Sequence, residues 1–292
     1  MGKELSPQEN DITNNLSTII LCAGEGTRLK EITKTIPKPL IKIESFNNNS
    51  ILNKIIIDLI KLGIKRIAIV VGHLGYKISN FISILKKKNK SLQDKILIID
   101  SENLYKLGPL YSFLSITKNK AFFNNSNYYI LIPGDTILDF NILKEIMQIL
   151  SKNINIIQEH ALVFYRNIDI KKLKEIHEIS KVVSIAEIEQ LRINNLLKKI
   201  YQVDLQILPS TNKINQIIPI FTLSKKIITE ILNLKTEIPV KTVWEALNFA
   251  IEKGKKIFAF EIKSSYNFYD IDSINDLKGL HRKKEKDNRC SY

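Results

Sequence analysis

Cysteine is almost absent: the 292 residues include only Cys22 and Cys290. Two cysteines so far apart argue against a disulfide framework and a cysteine-based metal site, and they suit a reducing cytoplasm. No apolar run reaches about 18 residues, so no segment reads as a membrane-spanning helix, and the N-terminal residues lack an apolar signal core. No internal repeat or hexapeptide β-helix pattern is found. The one tryptophan, Trp244, lies in a stretch of helical periodicity and reads as a core residue. Acidic residues are outnumbered, Asp+Glu 30 against Lys+Arg 44, for a net charge of +14. The lysines are scattered and no nucleic-acid motif accompanies them, so no nucleic-acid partner is expected. A phosphate-rich substrate is enough to make a basic site useful.

What is present is ordinary for a globular protein, 44% apolar and 25% charged, on a chain long enough to bury a real core. Residues 1–15 are polar and aperiodic and read as a disordered leader; 16–282 read as one domain and 283–292 as a polar tail. Strands are expected at 17–22, 66–71, 96–100 and 128–132, with helices at 50–62, at 76–86 and from 110. This alternation predicts a parallel sheet with helices on both faces. Further strands are expected at 161–166, 182–187, 197–208, 217–223, 256–262 and 267–271, as a mixed or antiparallel section. Helices are expected at 225–232, at 240–252 and from about 273.

The chemistry concentrates in residues 17–43. An apolar run ends at Gly24-Glu25-Gly26-Thr27-Arg28, and Pro37-Lys38-Pro39-Leu40 follows. Glycines let the backbone close on a ligand and aim N–H groups at phosphate oxygens. Arg28 adds a fork of donors and Lys38 a mobile point charge, which together describe a grip on a nucleoside triphosphate. No Gly-Lys-Ser/Thr follows, which excludes a Walker loop, and Leu29 stands where a dinucleotide fingerprint needs its third glycine.

The GEGTRL and PKPL pair resembles the signature of the nucleotidyl transferase family, whose members make NDP-sugars and CDP-alcohols. The resemblance implies an α/β, Rossmann-like fold: a mixed, mainly parallel sheet flanked by helices, as in nucleotide-diphospho-sugar transferases and the glycosyltransferase-A-like fold. It assigns nucleotide contacts to Leu21, Ala23, Gly24, Glu25, Gly26 and Thr27, and catalytic roles to Arg28 and Lys38. Residues 101–115 occupy the place where the family reads the base, with Asn103 as the amide and Gly108-Pro109 after Leu107.

Asp135 follows a buried strand and a glycine, so its carboxylate projects at the carboxyl edge of the sheet. By resemblance it holds Mg²⁺, a cation that takes one or two carboxylates beside phosphates and water. The second acidic site is Asp270-Ile271-Asp272, resembling the family's late acidic strand. The two aspartates alternate and should face opposite sides, so one of them, Asp270 favoured over Asp272, points at the metal. Asp276 is expected to cap or open the last helix.

The acceptor side departs from the family pattern. The glutamate–lysine–proline element and the N-x-G-x-Y strand of sugar-nucleotide pyrophosphorylases are both missing, and Lys198 or Lys199 is left to reach the acceptor phosphate. That departure raises the standing of a CDP-alcohol product; the resemblance implies an NTP and a phosphorylated small molecule as partners, with a sugar 1-phosphate still favoured. The alternatives are a CTP-dependent cytidylyltransferase for an alcohol phosphate and a non-catalytic regulatory relative. A cytoplasmic homo-oligomer is compatible with these readings.

Overall fold

The structure, a computed structural model, describes residues 12–29, 31–44, 48–176, 181–209, 212–234, 240–271 and Asp276. Among these the strands are, in chain order, β1 (Leu16–Cys22), β2 (Lys42–Ile43), β3 (Asn49–Ser50), β4 (Ile67–Val71), β5 (Ile96–Asp100) and β6 (Tyr128–Pro133). There follow β7 (Thr136–Leu138), β8 (Ala161–Asp169), β9 (Val182–Glu189) and β10 (Asn195–Asp204). The last are β11 (Lys213–Ser224), β12 (Ile257–Glu261) and β13 (Phe268–Asp270).

Nine of them form one sheet in the order β5-β4-β1-β6-β11-β8-β12-β10-β9. The first four run parallel to one another. β11 then runs antiparallel to both β6 and β8, β12 lies parallel to β8, and β10 is antiparallel to β12 and β9. The sheet is thus mixed, parallel in its first half and mostly antiparallel in its second.

β1 explains its own sequence. Leu16 and Ile20 enter one core cluster and Ile19 the other, so both faces are covered and the run is continuous rather than alternating. Each fully buried Ile or Leu contributes about 1.5–3 kcal/mol of hydrophobic stabilisation. The helix Ile51–Lys61 covers one face; Ser50 caps it by accepting from the Asn53 N–H at 3.2 Å. Within it Lys54 pairs with Asp58 at 2.6 Å, and the same ammonium ties the helix to the Leu138 carbonyl of β7 at 2.7 Å.

Several spans differ from expectation. Ile12 and Thr13 are buried and residues 12–15 are helical, so the ordered body starts inside the stretch read as leader. Residues 1–11 and the 283–292 tail lie outside the described residues. The strand expected to reach 208 stops at Asp204, whose carboxylate accepts from the Gln206 N–H at 2.9 Å and starts a turn. The helices Phe140–Lys152 and Ile154–Glu159, absent from the sequence reading, pack Ile142, Ile146, Leu150 and Ile157 into the core. Among the described residues no helix is long and apolar enough to cross a membrane.

Candidate active site

The carboxyl ends of β1 and β6 and the start of β7 meet at one place, and the glycine loop fills it. Gly26 has φ +64, in the left-handed region, and a Cβ there would sit 2.9 Å from Thr33 Cγ2 and 3.1 Å from Lys38 Cγ. Glycine is therefore required both by the turn and by the approach of the lysine segment. The Thr33 hydroxyl donates to the Gly26 carbonyl at 3.0 Å, and the His73 N–H donates to that of Ala23, also at 3.0 Å. These bonds hold the loop from two sides and give His73 and the 31–37 segment a supporting role.

Lys38 opens a short 3-10 turn after Pro37 and is only 8% exposed. Its ammonium lies 3.0 Å from Asp135 Oδ2, which joins the two motifs across 97 residues of sequence. Leu21, Gly24, Gly26, Thr27, Arg28, Lys38 and Asp135 line a cavity of about 220 Å³. The buried Cys22 shares this wall, and burial, helped by the Asp135 charge, raises its pKa well above the ordinary thiol value, so it stays neutral.

Asp270 reaches the same neighbourhood through β13, which pairs antiparallel with β7 and sets Asp270 opposite Thr136. The Thr136 hydroxyl donates to Asp270 Oδ1 at 2.5 Å, and the Ile271 N–H donates to the Asp135 carbonyl at 3.2 Å. The two aspartates therefore occupy adjoining backbone positions. Asp272 lies outside the described residues. Asp276 pairs with Lys181 at 3.6 Å, and Lys181 also donates to the Asp270 carbonyl at 2.9 Å. Among the described residues no group of three or more His, Cys, Asp or Glu side chains gathers as a metal site. Two carboxylates with oxygen donors alone still fit Mg²⁺, which completes its shell with phosphate oxygens and water.

Two further cavities adjoin the first. One, of about 300 Å³, is largely apolar and is walled by Leu21, Ala23, Tyr105, Pro109, Phe221 and Trp244 among others. Gly108 stands just before Pro109 with φ +129; a Cβ there would meet the Lys241 carbonyl oxygen at 2.6 Å, so this glycine is needed for packing against residue 241. Asn103 and Glu25 are exposed and line none of the three cavities, which leaves their expected contacts without support. The other cavity, about 360 Å³, is bounded by Arg28, Lys181, Gln202, Gln216, Trp244 and Asp270 among others.

Lys198 and Lys199 are not in that wall. Lys198 is exposed and paired with Glu189 at 2.8 Å. Lys199 is exposed too, and it alternates with Ile200 and Gln202, the β10 residues that do face the cavity. Among the described residues the cations in that wall are Arg28 and Lys181. Trp244 is core only in part: it is half-buried, packs against the second core cluster and also borders both larger cavities. Its helix, Val243–Glu252, opens on a capping box, Thr242 with Glu245, that fixes the first turn against the cleft. A T-x-x-E spacing before an apolar run was the signal that could have found it.

The three cavities share walls: Arg28 belongs to the first and third, Asp135 to the first and second, Trp244 to the second and third. Together they form one cleft with a cationic, acidic centre, an apolar arm and a polar arm.

The profile of the nucleotidyl transferase family matches residues 17–167. Over 130 residues the chain is 35% identical to a D-glycero-alpha-D-manno-heptose 1-phosphate guanylyltransferase of Campylobacter jejuni, covering 44% of this chain and 52% of that protein. Over 58 residues it is 43% identical to a 2-aminoethylphosphonate cytidylyltransferase of Lancefieldella rimae, covering 20% and 22%. The chain thus matches about half, or less, of the length of these curated relatives. In structure it resembles a UDP-glucose pyrophosphorylase solved with UDP-glucose, with a TM-score of 0.66, 18% identity, and 92% and 98% of the two chains covered. It also resembles the inositol-1-phosphate CTP transferase from T. maritima, with a TM-score of 0.61, 20% identity and coverage of 92% and 96%. These two likenesses establish the nucleotide-diphospho-sugar transferase fold. With more than half of its length matched by the family profile, and with both halves of the signature at the centre of the cleft, the chain belongs to the nucleotidyl transferase family.

Proposed function

We propose that this cleft condenses an NTP with a phosphorylated acceptor, a sugar 1-phosphate by preference, to give an NDP-sugar and pyrophosphate. The sharing of Arg28, Asp135 and Trp244 among the three cavities carries this reading. It suits a triphosphate at the centre, a base in the apolar arm and an acceptor in the polar arm. The acceptor's phosphate oxygen attacks the α-phosphorus in line; a new P–O bond forms there, and the bond to the β-bridging oxygen breaks. Pyrophosphate leaves with the electron pair. The attacking phosphate is ionised near neutral pH, so no side chain is needed as a base.

Catalysis is then alignment and charge neutralisation. Lys38, held by Asp135, sits beside the α-phosphate, and Arg28 faces the departing pyrophosphate from the mouth of the loop. At Gly24 the backbone is open, with nothing within 4 Å of where a Cβ would sit. Asp135 and Asp270 would hold Mg²⁺, which when bound supplies positive charge to phosphate oxygens.

A second reading has its own observation. Phe221, Trp244 and Phe268 border the polar arm, and aromatic faces favour an ammonium-bearing alcohol phosphate. Both readings are tested by measuring pyrophosphate release with Mg²⁺, crossing the four NTPs and dTTP against sugar 1-phosphates, inositol 1-phosphate, phosphocholine and 2-aminoethylphosphonate. One strong pair supports nucleotidyl transfer and chooses the acceptor class. Nucleotide binding with no release for any pair would reject the sugar reading.

A further inference from the structure

Arg166 has no part in the chemistry described so far, yet it is fully buried in the middle of β8. Its Nε donates to Gln216 Oε1 at 2.8 Å and its Nη1 to the Tyr266 carbonyl at 2.8 Å. Its guanidinium carbon lies 4.6 Å from the centre of the Phe268 ring. Among the described residues Nη2 has no hydrogen-bond partner. Burial pushes the guanidinium pKa down to about 10, and only Tyr269 counters it. A buried cation without a carboxylate is a costly core residue; a neutral side chain of similar shape would serve packing better. Its three contacts share one property: Gln216 and Phe268 line the polar arm, and Tyr266 leads into the strand that carries Asp270.

The chemistry of the contact fixes an orientation. A guanidinium has donors only, so the Gln216 atom it meets must be the amide oxygen. Gln216, opposite Arg166 in the β8–β11 register, 3% exposed and lining the cavity, then has its oxygen engaged by Arg166 and, among the described residues, its NH₂ as the unengaged end of the amide. An oxygen with a lone pair can accept from that group, whereas a quaternary ammonium cannot. One face of Phe268 is already taken by Arg166, and Arg28 and Lys181 add positive charge, against Asp270 as the one carboxylate in the wall among the described residues.

We propose that Arg166 is a positioning residue that locks Gln216 as a donor into the polar arm, so that the site takes a polyhydroxylated phosphate in preference to an ammonium-bearing alcohol phosphate. This rests on the reading of that arm as the acceptor site. A hydroxyl accepts from Gln216, and its own proton remains available to a wall oxygen.

The test is calorimetric binding of glucose 1-phosphate, inositol 1-phosphate and phosphocholine to the full chain, alongside steady-state kinetics. The wild type should bind at least one of the two polyol phosphates about tenfold or more tighter than phosphocholine, since a site built to donate to a hydroxyl rejects an analogue without one. Gln216→Leu and Arg166→Met, which removes the donor that holds the Gln216 oxygen, should shrink that ratio to about threefold or less, raising the acceptor KM with little change in kcat or in the KM for NTP. A merely structural Arg166 would lower thermal stability and leave the ratio alone. If Arg166→Met does not fold, Gln216→Leu decides by itself. Equal binding of all three ligands, binding of none, a preference for phosphocholine, or a ratio unmoved by Gln216→Leu would overturn the assignment. Pyrophosphate release is scored separately. A wild type that shows the ratio but releases no pyrophosphate upholds the role of Arg166 and refutes nucleotidyl transfer; transfer without the ratio does the reverse.

Discussion

The parallel half of the sheet and the antiparallel half build the cleft in different ways. Between residues 16 and 135 the cleft is made from strand ends: the loop after β1, the turn at Lys38 and the residues after β6. From residue 181 to 270 much of it is made from strand faces, with Ser184, Gln202 and Gln216 projecting from β9, β10 and β11. Strand ends offer backbone N–H groups and flexible loops, which suit a triphosphate, a ligand common to every NTP. Strand faces offer side chains that can be exchanged in place without moving the backbone, which suits an acceptor that differs from relative to relative. On this view reaction chemistry resides in the first half and acceptor choice in the second, with Arg28, Asp270 and Trp244 at the join.

The sharpest way to break that division is at Arg28. It is exposed, so Arg28→Ala should lower kcat by about 10³ while the melting temperature moves by no more than about 1 °C. Near-normal turnover would place the phosphate grip elsewhere and remove the first half's claim to the chemistry. Asp270→Asn comes next, at about 10²-fold, because it removes one of two carboxylates suited to the cation. Titration with Mg²⁺ should show a higher requirement in this variant; an unchanged requirement would assign the second ligand to another residue.

The second half should respond in KM. Lys181→Ala should raise the acceptor KM about tenfold, whereas Lys198→Ala and Lys199→Ala should stay within about twofold, as expected of exposed lysines outside the cavity. The reverse pattern would restore the lysines picked out from the sequence. Trp244→Ala should raise KM for nucleotide and acceptor together, about fivefold each, since its ring borders both arms. A rise for one alone would confine the ring to that arm.

The same division explains what was legible. That Gly24, Gly26, Arg28 and Lys38 share one cavity could be read because the pattern is local: a strand, a glycine turn and two cations within about twenty residues. Asp135 could be read because a buried strand pointed to it. Lys181, Gln202 and Gln216 could not, because amides and lysines abound in this chain and only the pairing of β9, β10 and β11 assembles them. Asn103 and Lys199 lie outside the cavities for the converse reason: each has fitting chemistry near a fitting position, but exposure and strand alternation turn them away from the walls. β7, three residues long, carries no periodicity to read, yet it is what brings Asp270 beside Asp135.

The smallest effect tests how the two halves are held together at Trp244. Glu245 accepts from the N–H groups of Lys241 and Thr242, each at 2.8 Å, and so fixes the turn that presents the tryptophan. Burial is the largest single influence and works to raise its pKa, but those two backbone bonds, the Thr242 hydroxyl and the Lys241 charge together outweigh it and hold the carboxyl below its ordinary value. A group with a lowered folded pKa adds stability above its unfolded pKa, and that stability is lost as the pH falls through the folded one. Glu245→Gln keeps an accepting oxygen and loses only the charge, so at pH 7 the melting temperature should fall by about 1–2 °C. The difference between variant and wild type should shrink as the pH drops below about 4, where the unfolded carboxyl is protonated, and vanish once the native one is. If the gap instead stays constant with pH, the cap acts by shape alone, and Trp244 is placed by packing rather than by the charge at the head of its helix.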